Sequence, residues 1–150
     1  MEIKPGLGLD NILFGVTKQE LMDILGEPDE VRLEEEDEEL EEVLRYNKLK
    51  TCFSFDFEND DDDEKRLSWI ESENPSLTIF NGTVIGQSEE DITELLSSNK
   101  IDDSYVEEDL YIDTLYSDDD NLEFEMLYGK VARVMFGPFY DENDSVVWPN

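Results

Sequence analysis

The sequence predicts an α+β fold: two tandem helix–β-meander repeats that form an antiparallel sheet, with the helices packed on one face. Two observations carry this prediction. A capped helix start occurs twice, at residues 15–21 and 86–92. Each start is followed by segments in which apolar and polar residues alternate. We expect a single domain over residues 1–150, with pseudo-repeats at approximately residues 6–80 and 81–140. Because few residues are identical between the halves, an accidental α+β order is the alternative.

The first predicted helix begins after Thr17 and ends at Gly26. Thr17 and Glu20 have the spacing of a capping box, in which each side chain bonds the other residue's backbone N–H. Three apolar side chains follow at helical spacing: Leu21, Ile24 and Leu25. A glycine at 26 and a proline at 28 are typical of a helix end.

Residues 27–42 form the first acidic segment, with 11 Asp or Glu among 16 residues. Their mutual repulsion predicts a mobile loop or an exposed helix end rather than a core element. Strands are predicted after it at residues 43–48, 51–57 and 66–72. In residues 51–57 the phenylalanines point to one side, and Cys52 points to the other. Leu67 and Trp69 are expected to point inward, and residues 59–64 form an acidic hairpin tip.

The second half repeats this plan. Ser88 and Asp91 have the capping-box spacing, and the apolar face that follows consists of Ile92, Leu95 and Leu96. Strands are predicted at residues 110–116, 122–127 and 131–136. Residues 118–120 are all aspartate, and this turn is expected to match the acidic hairpin tip of the first half.

The composition excludes several functions. The chain has 42 Asp and Glu against 11 Lys and Arg, a formal net charge of −31, and no histidine. Solubility of a small domain needs a charge of magnitude roughly 2–8. Without histidine there is no Ser-His-Asp site and no histidine-bearing zinc site. The lone Cys52 excludes an internal disulfide. Because the chain has so many carboxylates, the presence of a pair of them is no evidence for a catalytic site, and we predict that the protein is not an enzyme.

No cofactor or defined metal site is predicted. The acidic run at residues 60–64 lacks the alternation, the glycine and the closing glutamate of an EF-hand loop. Nucleic acid is an unsuitable ligand because Lys65-Arg66 is the only adjacent basic pair. The sequence shows no signal peptide and no apolar run long enough to span a membrane. We therefore expect a cytoplasmic protein with no membrane partner.

The acidic blocks favour a basic protein partner, because a dense negative surface steers a cationic target toward it. The acids expected to contact it lie in three segments: Glu34, Glu35, Glu38, Glu39, Glu41, Glu42, Asp60, Asp61, Asp62, Asp63, Asp118, Asp119 and Asp120. Four aromatic residues could anchor the contact: Tyr105, Tyr111, Tyr116 and Trp148.

Residues 6–29, including Gly15-Val16-Thr17-Lys18-Gln19-Glu20 and Leu25-Gly26-Glu27-Pro28, resemble proteins of the β-lactamase-inhibitor-protein-like fold. That fold includes a small outer-membrane assembly lipoprotein, and in the inhibitor tandem units present a concave sheet to an enzyme. The whole chain is similar to small acidic immunity proteins of contact-dependent and other polymorphic toxin systems. The chain lacks the lipoprotein's lipobox and the inhibitor's disulfides, which suits a cytosolic immunity role.

The resemblance implies a non-enzymatic immunity or inhibitor protein that neutralises a cognate toxin domain. A basic, nuclease-type toxin is expected, because an acidic inhibitor can occupy a surface that binds phosphate. Inhibitory residues vary with each toxin, so none is transferred from the family. The alternative is an acidic structural or housekeeping scaffold with no toxin partner, in which the charge serves solubility.

Overall fold

The computed structural model describes residues 1–36, 39–56 and 65–149. Within these residues the α-helices are α1 (Lys18–Leu25) and α2 (Glu89–Ser97). In chain order the strands are β1 (Glu2–Lys4), β2 (Gly8–Leu9), β3 (Ile12–Leu13), β4 (Glu30–Glu36), β5 (Glu39–Tyr46), β6 (Thr51–Asp56), β7 (Arg66–Ser72), β8 (Thr78–Ile79), β9 (Gly82–Thr83), β10 (Tyr105–Glu108), β11 (Asp113–Ser117), β12 (Leu122–Leu127), β13 (Lys130–Phe136), β14 (Phe139–Tyr140) and β15 (Val146–Val147).

The main sheet has eight strands in the order β10-β11-β12-β13-β7-β6-β5-β4, and every neighbouring pair is antiparallel. A second sheet, in the order β3-β2-β1-β8-β9, contains one parallel pair, β1 with β8. The last two strands form a hairpin. The predicted α+β class with an antiparallel sheet is confirmed.

Both predicted helix starts form, but only the first has both bonds of a capping box. The hydroxyl of Thr17 accepts from the N–H of Glu20 at 3.2 Å, and the carboxylate of Glu20 accepts from the N–H of Thr17 at 3.3 Å. Ser88 accepts from the N–H of Asp91 at 3.2 Å. These bonds satisfy N–H groups that have no partner within the helix. Helix α1 ends at Gly26, whose φ of 84° suits a residue without a side chain.

A single hydrophobic core joins the helices to the main sheet. Leu21 of α1 and Ile92 and Leu96 of α2 are fully buried in it. Alternate residues of the central strands fill the same core: Leu44, Phe53, Phe55, Leu67, Ile70, Phe124, Val134 and Phe136. The prediction that Phe53 and Phe55 point to the core side is confirmed, while residue 57 lies outside the described residues.

The prediction of a loop or helix end at residues 27–42 was wrong. This segment forms β4 and the first half of β5, paired from Glu30–Arg45 to Glu36–Glu39. Among the described strands, β4 is an edge of the sheet, with β5 as its one neighbour. The side chains of residues 30–35 are exposed, so their carboxylates keep their hydration while the backbone gains ladder hydrogen bonds.

Two further predictions needed correction. Trp69 does not point inward with Leu67, because the register shifts between Ser54 and Phe55. This shift pairs Trp69 with Ser54 on one side of the sheet and Leu67 with Phe55 on the other. The strand predicted at residues 110–116 begins at Asp113 instead, and the sequence reading missed β10.

Candidate functional site

The main sheet has a second face, formed by the side chains that alternate with the core residues. One continuous row crosses all eight strands through paired residues: Glu30, Arg45, Cys52, Glu71, Met135, Glu123, Tyr116 and Tyr105. The polar face is defined as this row together with its neighbours on the same side: Arg32, Glu34, Glu41, Val43, Ser54, Trp69, Glu107, Thr114, Glu125 and Arg133.

The pKa values of two half-buried carboxylates of the polar face, Glu41 and Glu123, are raised. Burial is the largest cause for Glu123, followed by repulsion from Glu125, Glu71 and Asp118. Burial also raises the pKa of Glu41, and a hydrogen bond with the neighbouring Ser54 opposes it only in part. The ionised form of each carboxylate is therefore held at a free-energy cost in the isolated protein.

An aromatic pair lies at the β10 edge of the polar face. The rings of Tyr105 and Tyr116 stack with centroids 5.3 Å apart. The hydroxyl of Tyr105 donates to Asp118 at 2.9 Å, and this hydrogen bond is the main reason that the pKa of Tyr105 is raised to about 12. Tyr105 keeps 42% of its surface exposed, so the pair offers rigid amphipathic contact area.

Arginines interrupt the acids of the polar face. Arg133 donates through Nη2 to Glu73 at 2.9 Å and lies 3.8 Å from a carboxylate oxygen of Glu125. Arg32 lies 3.7 Å from Glu30 and 3.6 Å from Glu34. The face is thus a mixed-charge surface with an acidic excess rather than a uniform acidic coat.

The acidic connections gather at one end of the sheet. Strand β4 ends and β5 begins at this end, β6 ends and β7 begins there, and residues 118–121 connect β11 to β12 there. Because neighbouring strands run in opposite directions, successive connections alternate between the two ends of the sheet, which places these three at the same end. At the opposite end the connections carry Lys48, Lys50 and the exposed side chains of Leu110, Tyr111 and Tyr128. The acidic end, as named below, means Glu34, Glu35 and Asp118–Asp120.

The predicted site residues of the first acidic segment divide between the two sides of the sheet. Glu34 and Glu41 lie on the polar face, and Glu35 is exposed on the other side of β4. Glu42 also lies on that other side, 2.6 Å from the ammonium of Lys18 and 3.8 Å from that of Lys65. Glu42 thus links β5 to α1. Glu38 and the side chain of Glu39 are outside the described residues, as are the four acids Asp60, Asp61, Asp62 and Asp63.

The three aspartates at 118–120 stabilise their own turn. Asp118 accepts from Tyr105, and Asp120 accepts from the hydroxyl of Ser117 at 3.0 Å. Burial raises the pKa of Asp120. The backbone N–H of Asp119 donates to Asp103 at 3.2 Å, while its own side chain is exposed. This turn joins β11 to β12, whereas residues 57–64 lie between β6 and β7, so the two do not occupy matching connections.

Sequence reasoning missed the residues at the centre of the polar face, which are Arg45, Glu71, Glu123, Glu125 and Arg133. A signal for Glu123 and Glu125 was present, since they alternate with Leu122, Phe124 and Met126. Of the predicted aromatic anchors, Tyr105 and Tyr116 lie on the polar face. Tyr111 is exposed at the opposite end, and Trp148 packs near Gly15.

Two properties of the described residues bear on other functions. They contain no group of three or more His, Cys, Asp or Glu side chains arranged to hold a metal ion. Neither helix in the described part of the chain is long and apolar enough to cross a membrane.

Comparison with known proteins gives little. No protein-family model matches the chain, and no curated protein matches it. Among solved structures, it is similar to an extracellular protein containing a SCP domain from Bacillus anthracis str. Ames, with 12% identity and a TM-score of 0.46. The match covers 91% of this chain but 49% of the other, so the chain spans less than half of that protein. A likeness this distant says nothing about what the present chain binds.

Proposed function

We propose that the chain is a non-enzymatic immunity or inhibitor protein that binds and neutralises a basic, nuclease-type toxin domain in the cytoplasm. The docking surface in this proposal is the polar face together with the acidic end. The observation that carries it is the raised pKa of two half-buried carboxylates, Glu41 and Glu123, because burial and neighbouring acids disfavour their ionised forms in the free protein.

A cationic partner relieves the cost of that arrangement. Burial is the main cause of the raised pKa of Glu123, and the like charges around it add to the shift. A Lys or Arg placed beside it on binding opposes both effects and lowers the pKa again. The same contact shields Glu125 and Glu71 from Glu123. A protein whose charge served solubility alone would place its acids where water hydrates them fully.

The apolar content of the face supports a protein partner. Trp69, Tyr105 and Tyr116 lie among the charges, and Trp, Tyr and Arg are residue types enriched in interfaces. Such anchors supply binding energy, while the acids at the end of the sheet supply long-range steering.

The proposal includes a duplicated fold with both helices packed on the side opposite the polar face. Equivalent hydrogen bonds support the duplication. The N–H of Gly15 donates to Leu67 at 2.9 Å, and the N–H of Gly86 donates to Val131 at 2.8 Å. The strand order is also symmetric about the β13–β7 pair, with four strands on each side. Two units joined in this way form one wide face, as the resemblance to the β-lactamase-inhibitor-protein-like fold implies.

The test is protection of a bacterial host against the basic toxin domain that, on this proposal, a neighbouring gene encodes. Wild-type protein should restore growth when co-expressed with that domain. The double variant Glu41→Lys with Glu123→Lys should not protect. The control is Glu90→Lys with Glu94→Lys, which changes the net charge equally at exposed positions of α2.

Two results would count against the proposal. One is that the neighbouring gene encodes no toxin-like protein. The other is that the α2 variants lose protection as fully as the polar-face variants, since bulk charge and not a docking face would then be responsible. Soluble expression of every variant should be measured beside growth.

A further inference from the structure

A cavity of about 350 Å³ opens on the polar face, and it extends from Glu34 of the acidic end to Lys50 at the opposite end of the sheet. Four of the chain's 11 Lys and Arg residues line it: Arg32, Arg45, Lys50 and Arg133. Three glutamates also line it, at positions 34, 71 and 73, so the lining carries one net positive charge. The whole chain, by contrast, carries −31. The cavity is therefore a positively charged region on a strongly negative protein.

Two of the four cations have no carboxylate partner among the described residues. Arg45 uses Nε to donate to Asn47 at 3.2 Å and Nη1 to donate to the sulfur of Cys52 at 3.5 Å. No carboxylate of the described residues lies within 4.0 Å of the charged groups of Arg45 or Lys50, although acids outnumber bases almost fourfold. Both side chains keep donors free for a ligand.

Local structure orients the guanidinium of Arg45 and fixes the backbone of Lys50. Arg45 lies between Glu30 and Cys52 in the row that crosses the sheet, and its two hydrogen bonds orient the guanidinium. Lys50 has a left-handed backbone, with φ of 51°, at the turn that leads into β6. The N–H of Glu73 donates to its carbonyl oxygen at 2.9 Å, which joins this turn to β7.

The other two cations are already neutralised. Arg133 is bonded to Glu73, and Arg32 lies close to Glu30 and Glu34. These two arginines therefore form part of the cavity wall but attract an anion more weakly than an unpaired cation does. An anion entering the cavity would meet Arg45 and Lys50 first. Because a guanidinium presents parallel N–H donors, it matches the two oxygens of a carboxylate or phosphate.

From this geometry we infer that the cavity is a binding site for an oxyanion, a carboxylate or phosphate group held by Arg45 and Lys50. Elsewhere the −31 charge repels anions, so this cavity is where such a group is accepted. On a protein partner, the group would be an acidic side chain within an otherwise basic surface. That pairing would fix the orientation of the partner and exclude basic proteins that lack it.

The test uses the chain alone, so its outcome does not depend on the proposed function. Sodium acetate and, separately, inorganic phosphate are titrated into ¹⁵N-labelled protein at pH 7, with sodium chloride adjusted to keep the ionic strength constant. The signals to follow are the Arg45 and Arg133 side-chain N–H groups and the amide of Lys50. Saturable shifts confined to the cavity are expected.

Lys50→Gln and Lys48→Gln form a matched pair. Both lose one positive charge, but Lys48 is exposed on the same turn and does not line the cavity. We expect Lys50→Gln to weaken association about tenfold, as loss of a hydrogen bond to a charged group does, and Lys48→Gln to leave it nearly unchanged. Arg45→Gln should also weaken it.

Saturation by either anion supports the site, and a comparison of the two shows which group it prefers. Two results overturn the inference. The first is the absence of saturable shifts with both anions. The second is an equal loss of association in the Lys48 and Lys50 variants, because general charge would then account for the shifts.

Discussion

Glu123 combines half-burial with three acidic neighbours, and nothing in its surroundings lowers its pKa. Its ionised form is disfavoured in the folded protein relative to the unfolded chain, where neighbouring charges are more distant. A residue that weakens the free protein and strengthens a complex is typical of functional surfaces. Glu41 is similar, apart from its hydrogen bond with Ser54.

Glu123→Gln should therefore stabilise the free protein at neutral pH. The raised pKa means that the folded state binds the proton more tightly than the unfolded state. Stability is lost as pH rises from the ordinary glutamate range through the folded pKa. We expect a gain of about 0.5 kcal/mol at pH 7, discounted because the group is partly solvated, that disappears near pH 3.5.

Urea unfolding at both pH values measures this gain. Glu94→Gln removes the same charge from an exposed position of α2 and serves as the control. A pH-independent gain, or an equal gain in the control, would contradict the proposed environment of Glu123.

The element scale shows what the sequence could and could not predict. The two helix N-caps and the strand at Thr51–Asp56 were predictable, because each depends on residues close together in the chain. Strands β4 and β10 were not. Each is an edge of the main sheet among the described strands, and its pairing with a neighbour outweighs the unfavourable local composition. The side of the sheet on which Trp69 lies depends on a register shift, which the alternation of apolar and polar residues does not reveal.

The candidate site was predictable only in part for the same reason. Dense acidic runs drew the sequence prediction to residues 34–42, 60–63 and 118–120. The polar face instead gathers single charged residues from β4, β5, β7, β12 and β13, which only strand pairing brings into one row. Arg45 and Arg133 are 88 positions apart in sequence and line one cavity.

The two helix starts allow a direct test at this scale. Thr17→Ala and Ser88→Ala each remove a side chain that accepts a backbone N–H, and each should lower the free energy of unfolding by about 1 kcal/mol. Thr17→Ser should restore most of the loss. Urea denaturation measures the change, and Thr93→Ala, at an exposed position within α2, is the control. A negligible loss in both variants would show that the caps contribute little.

At the scale of the whole molecule, the dominant property is a charge of −31 on one hydrophobic core. Repulsion among 42 acids opposes folding at low ionic strength, and salt screens it, since the Debye length falls from about 10 Å at 0.1 M to 3 Å at 1 M. Urea midpoints should therefore rise as sodium chloride increases from low concentration to 1 M. A midpoint that falls with salt would mean that attractive ion pairs, such as Lys18 with Glu42, dominate.

The central claim is that the polar face, rather than bulk acidity, binds a basic protein domain. The most direct test is calorimetric titration of the neighbouring-gene toxin domain into three proteins: wild type, Glu41→Lys with Glu123→Lys, and Glu90→Lys with Glu94→Lys. The two double variants change the net charge equally. We predict that the polar-face variant binds at least about 100-fold more weakly, as expected when charges at the centre of an interface are reversed. The α2 variant should bind with an affinity close to that of the wild type. Equal affinities for the two variants would contradict the claim.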